Sequence, residues 1–114
     1  MKRILIIEDQ APMRRNLAQL LELEGYTVLS ADNGLTGLDL ARKEQPDVIL
    51  CDVMMPGLDG HGVIRALRED ATTTQIPFIF LTARGDRTDV RTGMNYGADD
   101  YLTKPVVRDD LLAA

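Results

Sequence analysis

Three short apolar runs constrain this chain most: Ile4-Leu5-Ile6-Ile7, Val48-Ile49-Leu50-Cys51 and Phe78-Ile79-Phe80-Leu81. Each is rich in β-branched or aromatic residues and is bounded by polar or turn residues. A strand with one wet face alternates apolar and polar residues. These runs do not alternate, so both of their faces must be covered, as in a parallel sheet with helices above and below. Two weaker runs, Thr27 to Ala31 and Asp100 to Thr103, are shorter or more polar and read as edge strands. Helical patterns fill the gaps. Met13, Leu17, Leu20 and Leu21 form one stripe, closed by Gly25. Leu35, Leu38 and Ala41 form a second, started after Asn33-Gly34 and stopped before Pro46. Val63, Ile64 and Leu67 form a third, with Asp59 as N-cap. Asp86 to Asn95 is a weaker fourth, with Val90 and Met94 inward, and Val107 to Ala114 begins a fifth.

The order is βα repeated, which implies right-handed crossovers and an α/β fold with a doubly wound, five-stranded parallel sheet. A flavodoxin-like order, 2-1-3-4-5, is preferred, because it puts the three strongly apolar runs in the middle and has helices on both faces. At 114 residues the chain is expected to be one domain, residues 1–114. The net charge of -5 argues against direct nucleic acid contact, which needs a basic face. One cysteine, Cys51, excludes an internal disulfide framework and fits a reducing compartment. No apolar run approaches the ~18 residues of a membrane span. The four apolar residues before Glu8-Asp9 fall short of the ~7 of a secretory leader. A cytoplasmic location with no membrane contact is therefore expected.

In such a sheet, ligands bind beyond the carboxyl ends of the strands. Glu8 and Asp9 follow strand 1, Asp52 ends strand 3, Thr82 ends strand 4, and Lys104, followed by Pro105, ends strand 5. Three carboxylates at one point repel one another, so either one stays protonated or a cation joins them. All the candidate ligands are hard oxygens, which favours Mg²⁺. Asp52 is the candidate nucleophile, since an aspartate takes a phosphoryl group as an acyl phosphate. Lys104 would hold a phosphoryl oxygen as a point charge and Thr82 would hydrogen-bond another. The bland alternatives are a solvated Glu8-Asp9 loop start and a solvated lysine. Whether Lys104-Pro105 is cis or trans stays open. Cys51 reads as core. His61 reads as a surface residue of the third helix, without a second ligand at i+4. Gly60-His61-Gly62 is no dinucleotide loop: Arg65 stands at the third glycine position, and Asp52 and Asp59 would repel a phosphate there.

Four stretches now carry a resemblance: Ile6-Ile7-Glu8-Asp9, Asp52-Val53-Met54-Met55-Pro56-Gly57-Leu58-Asp59-Gly60, Leu81-Thr82-Ala83, and Gly97-Ala98-Asp99-Asp100-Tyr101-Leu102-Thr103-Lys104-Pro105. Over essentially its whole length the chain resembles the receiver domain of two-component response regulators. The resemblance implies that Asp52 is phosphorylated by a partner sensor histidine kinase. It implies that Asp9, Asp52 and the backbone carbonyl of Met54 ligate Mg²⁺, with Glu8 acting through water. Thr82 and Tyr101 would be the switch pair, and Lys104 the phosphoryl-binding lysine. The domain would be no enzyme but a phosphoacceptor that assists its own phosphotransfer and autodephosphorylation. The altered surface would be helix 4, strand 5 and helix 5, also a route to a homodimer, with Asp86, Arg87, Arg91, Asp99, Asp100 and Arg108 as charged candidates. An output domain or effector would lie outside this segment. Met54 and Arg84, two residues beyond Asp52 and Thr82, are expected to screen the hydrolytic water and set phosphoryl lifetime. Two departures stand out: Val106 where phenylalanine is common, and a last helix that stops at Ala114, where the family's usually runs further, so truncation is expected.

Other readings fit less well. A haloacid-dehalogenase-type phosphatase wants Asp-x-Asp after strand 1, where this chain has Glu8-Asp9-Gln10-Ala11. A flavodoxin-like FMN binder needs a Ser/Thr/Gly-rich loop there, which an acidic turn cannot be. A pseudo-receiver that only mediates contacts is disfavoured by retention of every site residue.

Overall fold

Strand residues that are apolar on both faces need a helical layer on each side, and the computed structural model arranges the chain that way. It describes residues 2–82, 98 and 100–103, with only the strand path given for 100, 101 and 103. The expected fourth and fifth helices, Arg84, Val106, the Tyr101 side chain and Lys104 with its bond to Pro105 lie outside the described residues. The elements are β1 (Arg3–Ile7), α1 (Ala11–Leu23), β2 (Thr27–Ala31), α2 (Gly34–Glu44), β3 (Val48–Asp52), α3 (Gly60–Glu69), β4 (Phe78–Thr82) and β5 (Asp100–Thr103). The strands pair in parallel in the order β2-β1-β3-β4-β5, the order expected.

Alternation along each strand sorts the core into two halves. Leu5, Ile7, Ile49, Cys51, Phe78 and Phe80 face the side covered by α2 and α3, where Leu38, Ala41, Val63, Ile64 and Leu67 meet them. Ile4, Ile6, Leu50, Ile79, Leu81 and Leu102 face the other side, against Leu17 and Leu21 of α1. Phe78 and Phe80 touch edge to face, with ring centroids 4.9 Å apart. The two halves explain why the three central strands carry no polar alternation.

Helix ends follow local chemistry. The Asn33 side chain accepts from the Thr36 amide at 2.8 Å, and Asp59 Oδ1 accepts from the Gly62 amide at 2.9 Å, so both expected starts are side-chain capped. Past α1, the Tyr26 amide bonds the Leu21 carbonyl at 3.1 Å and the Gly25 amide bonds that of Glu22 at 3.0 Å, a Schellman closure at Gly25. Gln45 ends α2 in the left-handed region, and its Nε2 donates to the carbonyls of Ala41 and Arg42.

Two expectations fail in detail. The sequence spacing puts Leu35 on the inner stripe of α2, but it is 67% exposed. The buried stripe is Gly34, Gly37, Leu38 and Ala41, which keeps the i, i+3, i+4, i+7 spacing. Glycines complete it because α2 lies so close to β1 that a Cβ on Gly37 would come within 2.5 Å of Ile7 Cδ1. His61, read as a surface residue, is half-buried with its ring edge-on to Phe80, centroids 5.5 Å apart. The first turn of α3 is pressed onto the sheet there, so its side chains pack.

Candidate functional site

The sheet register brings the acidic residues together. Ile7 pairs with Cys51 across β1 and β3, so the next residues up, Glu8 and Asp52, stand side by side at the carboxyl ends of these strands. The ladder to β2 runs one residue further, with the Glu8 amide bonding the Ala31 carbonyl at 3.1 Å. Glu8 is fully buried, Asp52 is 4% exposed and Asp9 is half-buried. A carboxylate oxygen from each of the three lies within 4.8 Å of the others. The Gln10 amide donates to Glu8 Oε1 at 3.3 Å, and the Met54 amide donates to Asp52 Oδ1 at 3.3 Å.

Around Asp52 the backbone is tightly held. The Gly60 amide donates to the Val53 carbonyl at 2.9 Å. A Cβ on Gly60 would collide with the Asp52 carbonyl and would come within 2.9 Å of Phe80 Cε1 and Val53 Cα. Glycine is thus needed for α3 to abut the end of β3. The Cys51 thiol donates to the Asp52 carbonyl at 3.3 Å. Burial pushes that thiol well above its ordinary range, and the charges of Asp52, Glu8 and Asp59 push it the same way. Cys51 is therefore a buried core residue, as expected.

Of the site residues named from sequence, Glu8, Asp9 and Asp52 converge. Thr82 is 2% exposed at the end of β4, one position past Leu81, which pairs with Asp52. Met54 sits on the rim, 64% exposed. Tyr101 lies in β5 opposite Phe80, and Thr103 lies opposite Thr82. Two contributors escaped the sequence reading. Gly60 closes one of the four stretches that carry the resemblance, but its steric role is not read from sequence, although its place directly after the Asp59 cap is a signal of a tight helix start. Arg14, whose Nη1 donates to the Glu8 carbonyl at 2.9 Å, carried no sequence signal beyond its charge.

Two buried carboxylates and a third beside them concentrate negative charge at one point, which a cation would offset. Every donor is a hard oxygen in a tight cluster, a set that suits a small divalent ion. This acidic centre is compatible with Mg²⁺ and with an aspartate phosphoacceptor.

The family profile of the response regulator receiver domain matches residues 4–114, and the chain belongs to that family. It is 47% identical over 112 residues to Protein PilH of Pseudomonas aeruginosa, covering 98% of this chain and 93% of PilH. It is 42% identical over 112 residues to the phosphate regulon transcriptional regulatory protein PhoB of Pseudomonas aeruginosa, covering 98% of this chain and 49% of PhoB. The chain thus spans nearly all of PilH, but only about half of PhoB and 43% of a probable transcriptional regulator of Guillardia theta. Among solved structures, a putative response regulator from Chloroflexus aurantiacus superposes with a TM-score of 0.94 at 34% identity, covering 98% of this chain and 92% of that one. The receiver domain of a Pseudomonas aeruginosa sensor histidine kinase, solved with a magnesium ion coordinated in its active-site cleft, gives 0.90 at 30% identity, covering 98% and 92%. Among the described residues, no helix is long and apolar enough to cross a membrane.

Proposed function

We propose that Asp52 accepts a phosphoryl group from a partner histidine kinase and that residues 1–114 act as one receiver domain with Mg²⁺ as cofactor. The convergence of three carboxylates within 4.8 Å, with Asp52 at the end of a central strand, carries this reading. An Asp52 carboxylate oxygen attacks the phosphorus, the P–N bond of the donor phosphohistidine breaks, and its electron pair returns to the imidazole. Asp9, Asp52 and the Met54 carbonyl would hold Mg²⁺, with Glu8 acting through water. When bound, the ion offsets the negative charge of carboxylates and phosphoryl oxygens. Lys104 would hold a phosphoryl oxygen and Thr82 would donate its hydroxyl to another.

The phosphoryl group adds about -1.5 to -2 charges and three strong acceptors. A hydrogen bond to such a group contributes roughly 1.5–3 kcal/mol. If Thr82 makes that bond only in the active state, the population shifts roughly ten- to a hundredfold. Tyr101 would then follow Thr82, and the surface of helix 4, strand 5 and helix 5 would report the change. The domain is read as a signalling phosphoacceptor that assists its own dephosphorylation rather than an enzyme with external turnover. Met54 and Arg84 would tune the phosphoryl lifetime. Homodimerisation on that surface, an output domain or effector as partner, a cytoplasmic location and no direct nucleic acid contact complete the reading.

Intact-mass measurement after incubation with a small phosphodonor, with and without Mg²⁺, tests it. One phosphoryl group is expected on wild type, dependent on Mg²⁺, and none on Asp52→Asn. Equal labelling of Asp52→Asn would overturn the assignment.

A further inference from the structure

The turn that presents the metal-binding carboxylates lacks an ordinary anchor. α2 and α3 each begin with a side-chain cap, from Asn33 and Asp59. α1 does not: Gln10 makes no side-chain cap and the first turn holds no acidic residue. Residues 8–10 are tied down differently. The Gln10 amide reaches back to Glu8 Oε1 at 3.3 Å. Arg14, itself fixed by its amide bond to the Gln10 carbonyl at 3.0 Å, sends Nη1 to the Glu8 carbonyl at 2.9 Å. That carbonyl belongs to the peptide joining Glu8 to Asp9, so the guanidinium of half-buried Arg14 grips the backbone between two carboxylates of the cluster.

We infer that Arg14 is a positioning residue for the metal site, holding the Glu8–Asp9 peptide so that both carboxylates point at Asp52. The inference rests on the proposed Mg²⁺ reading and deepens it. Its physical content lies in a sign. A cation beside an acidic cluster opposes Mg²⁺ by Coulomb repulsion, so deleting Arg14 as a mere charge tightens binding. Deleting Arg14 as a clamp frees the turn, and ordering it again costs affinity, so binding weakens. Partners that orient metal ligands typically carry tenfold or more in affinity. Arg15 supplies the internal control. It stands one residue on, carries the same charge, and is exposed, with Nε donating to the Ala11 carbonyl of its own helix at 3.4 Å.

Calorimetric titration of the 114-residue protein with Mg²⁺ alone, at low ionic strength, tests this. Wild type is expected to bind and Asp9→Asn to lose most of the affinity. Arg14→Met is expected to bind about tenfold more weakly, although a positive charge has gone. Arg14→Lys, which keeps the charge and one donor at a time, is expected to fall between Arg14→Met and wild type. Arg15→Met is expected to stay within about twofold of wild type. Melting curves without Mg²⁺ show whether each variant is folded, and Arg14→Lys carries the test alone if Arg14→Met is not. Arg14 variants that bind Mg²⁺ as tightly as wild type, or more tightly, overturn the positioning role and leave the metal site standing. If wild type does not bind, or Asp9→Asn binds like wild type, the metal reading falls and this inference falls with it.

Discussion

At the scale of single residues, ordinary side chains acquire their chemistry from position. Asp52 is one of 18 acidic residues, yet it stands next to Glu8 and Asp9 with almost no solvent. Cys51 is one residue away, and its thiol is pushed far up by burial first and by the neighbouring carboxylates second. A folded-state pKa above the unfolded value means the folded chain holds its proton more tightly. That stabilisation is present below the unfolded thiol value, about 8.5, and is lost as pH rises through the folded value. Iodoacetamide should accordingly leave Cys51 unmodified in the native protein at mildly alkaline pH and label it fully in urea, with mass spectrometry as the readout. Rapid native labelling would show that the thiol is neither buried nor neutral.

At the scale of elements, the decisive contacts are places where a helix meets a strand without a side chain between. Gly37 and Gly60 both allow this, but their neighbours differ. A methyl on Gly37 meets the Ile7 side chain at Cδ1, Cγ1 and Cγ2, whereas one on Gly60 meets the Asp52 carbonyl and the Val53 Cα, which are backbone. Gly60→Ala should cost about 1–3 kcal/mol in denaturant unfolding, as overpacking does. It should also reduce Mg²⁺-dependent phosphorylation. Gly37→Ala should cost less, since alanine's better helix propensity returns up to about 1 kcal/mol, and should leave phosphorylation near wild type. Equal phosphorylation of the two variants would count against Gly60 shaping the site. A different device closes the far end of α3. Asp70 Oδ1 accepts from the Thr72 amide and hydroxyl at 2.9 and 2.8 Å, and its other oxygen accepts from Arg42 at 3.1 Å. The hydrogen bonds from Thr72 first, and Arg42 after them, lower the Asp70 pKa. Its stabilisation is present above the unfolded aspartate value, about 3.9, and is lost as pH falls through the lowered folded value. Wild type should thus unfold at higher denaturant than Asp70→Asn at neutral pH, with the gap closing in strong acid. A gap that does not change with pH would show that the charge is irrelevant.

For the molecule as a whole, stability and signalling meet in the acidic pocket. Like charges held within 4.8 Å oppose folding without a cation. Asp52→Asn, which removes one of the three charges, should therefore unfold at higher denaturant than wild type in the absence of Mg²⁺. Added Mg²⁺ should raise wild-type stability by about 2.7 kcal/mol at a hundred times its dissociation constant. It should do little for Asp9→Asn, and chemical denaturation with and without the ion measures both. The strand order, the residues at the strand ends and two of the helix caps were legible in the sequence, because apolar runs, turn residues and capping side chains act locally. Leu35, His61 and Gly60 were not, because each depends on how closely a helix approaches the sheet, which no spacing records. Arg14 was invisible for the same reason: its partner is a backbone carbonyl, the one group every residue shares. The sequence by itself determined which chemistry stands at the ends of β1, β3 and β4. Only the tertiary structure decided how near those groups come, how dry they are and what holds them, because distance and burial arise from packing between segments far apart in the chain.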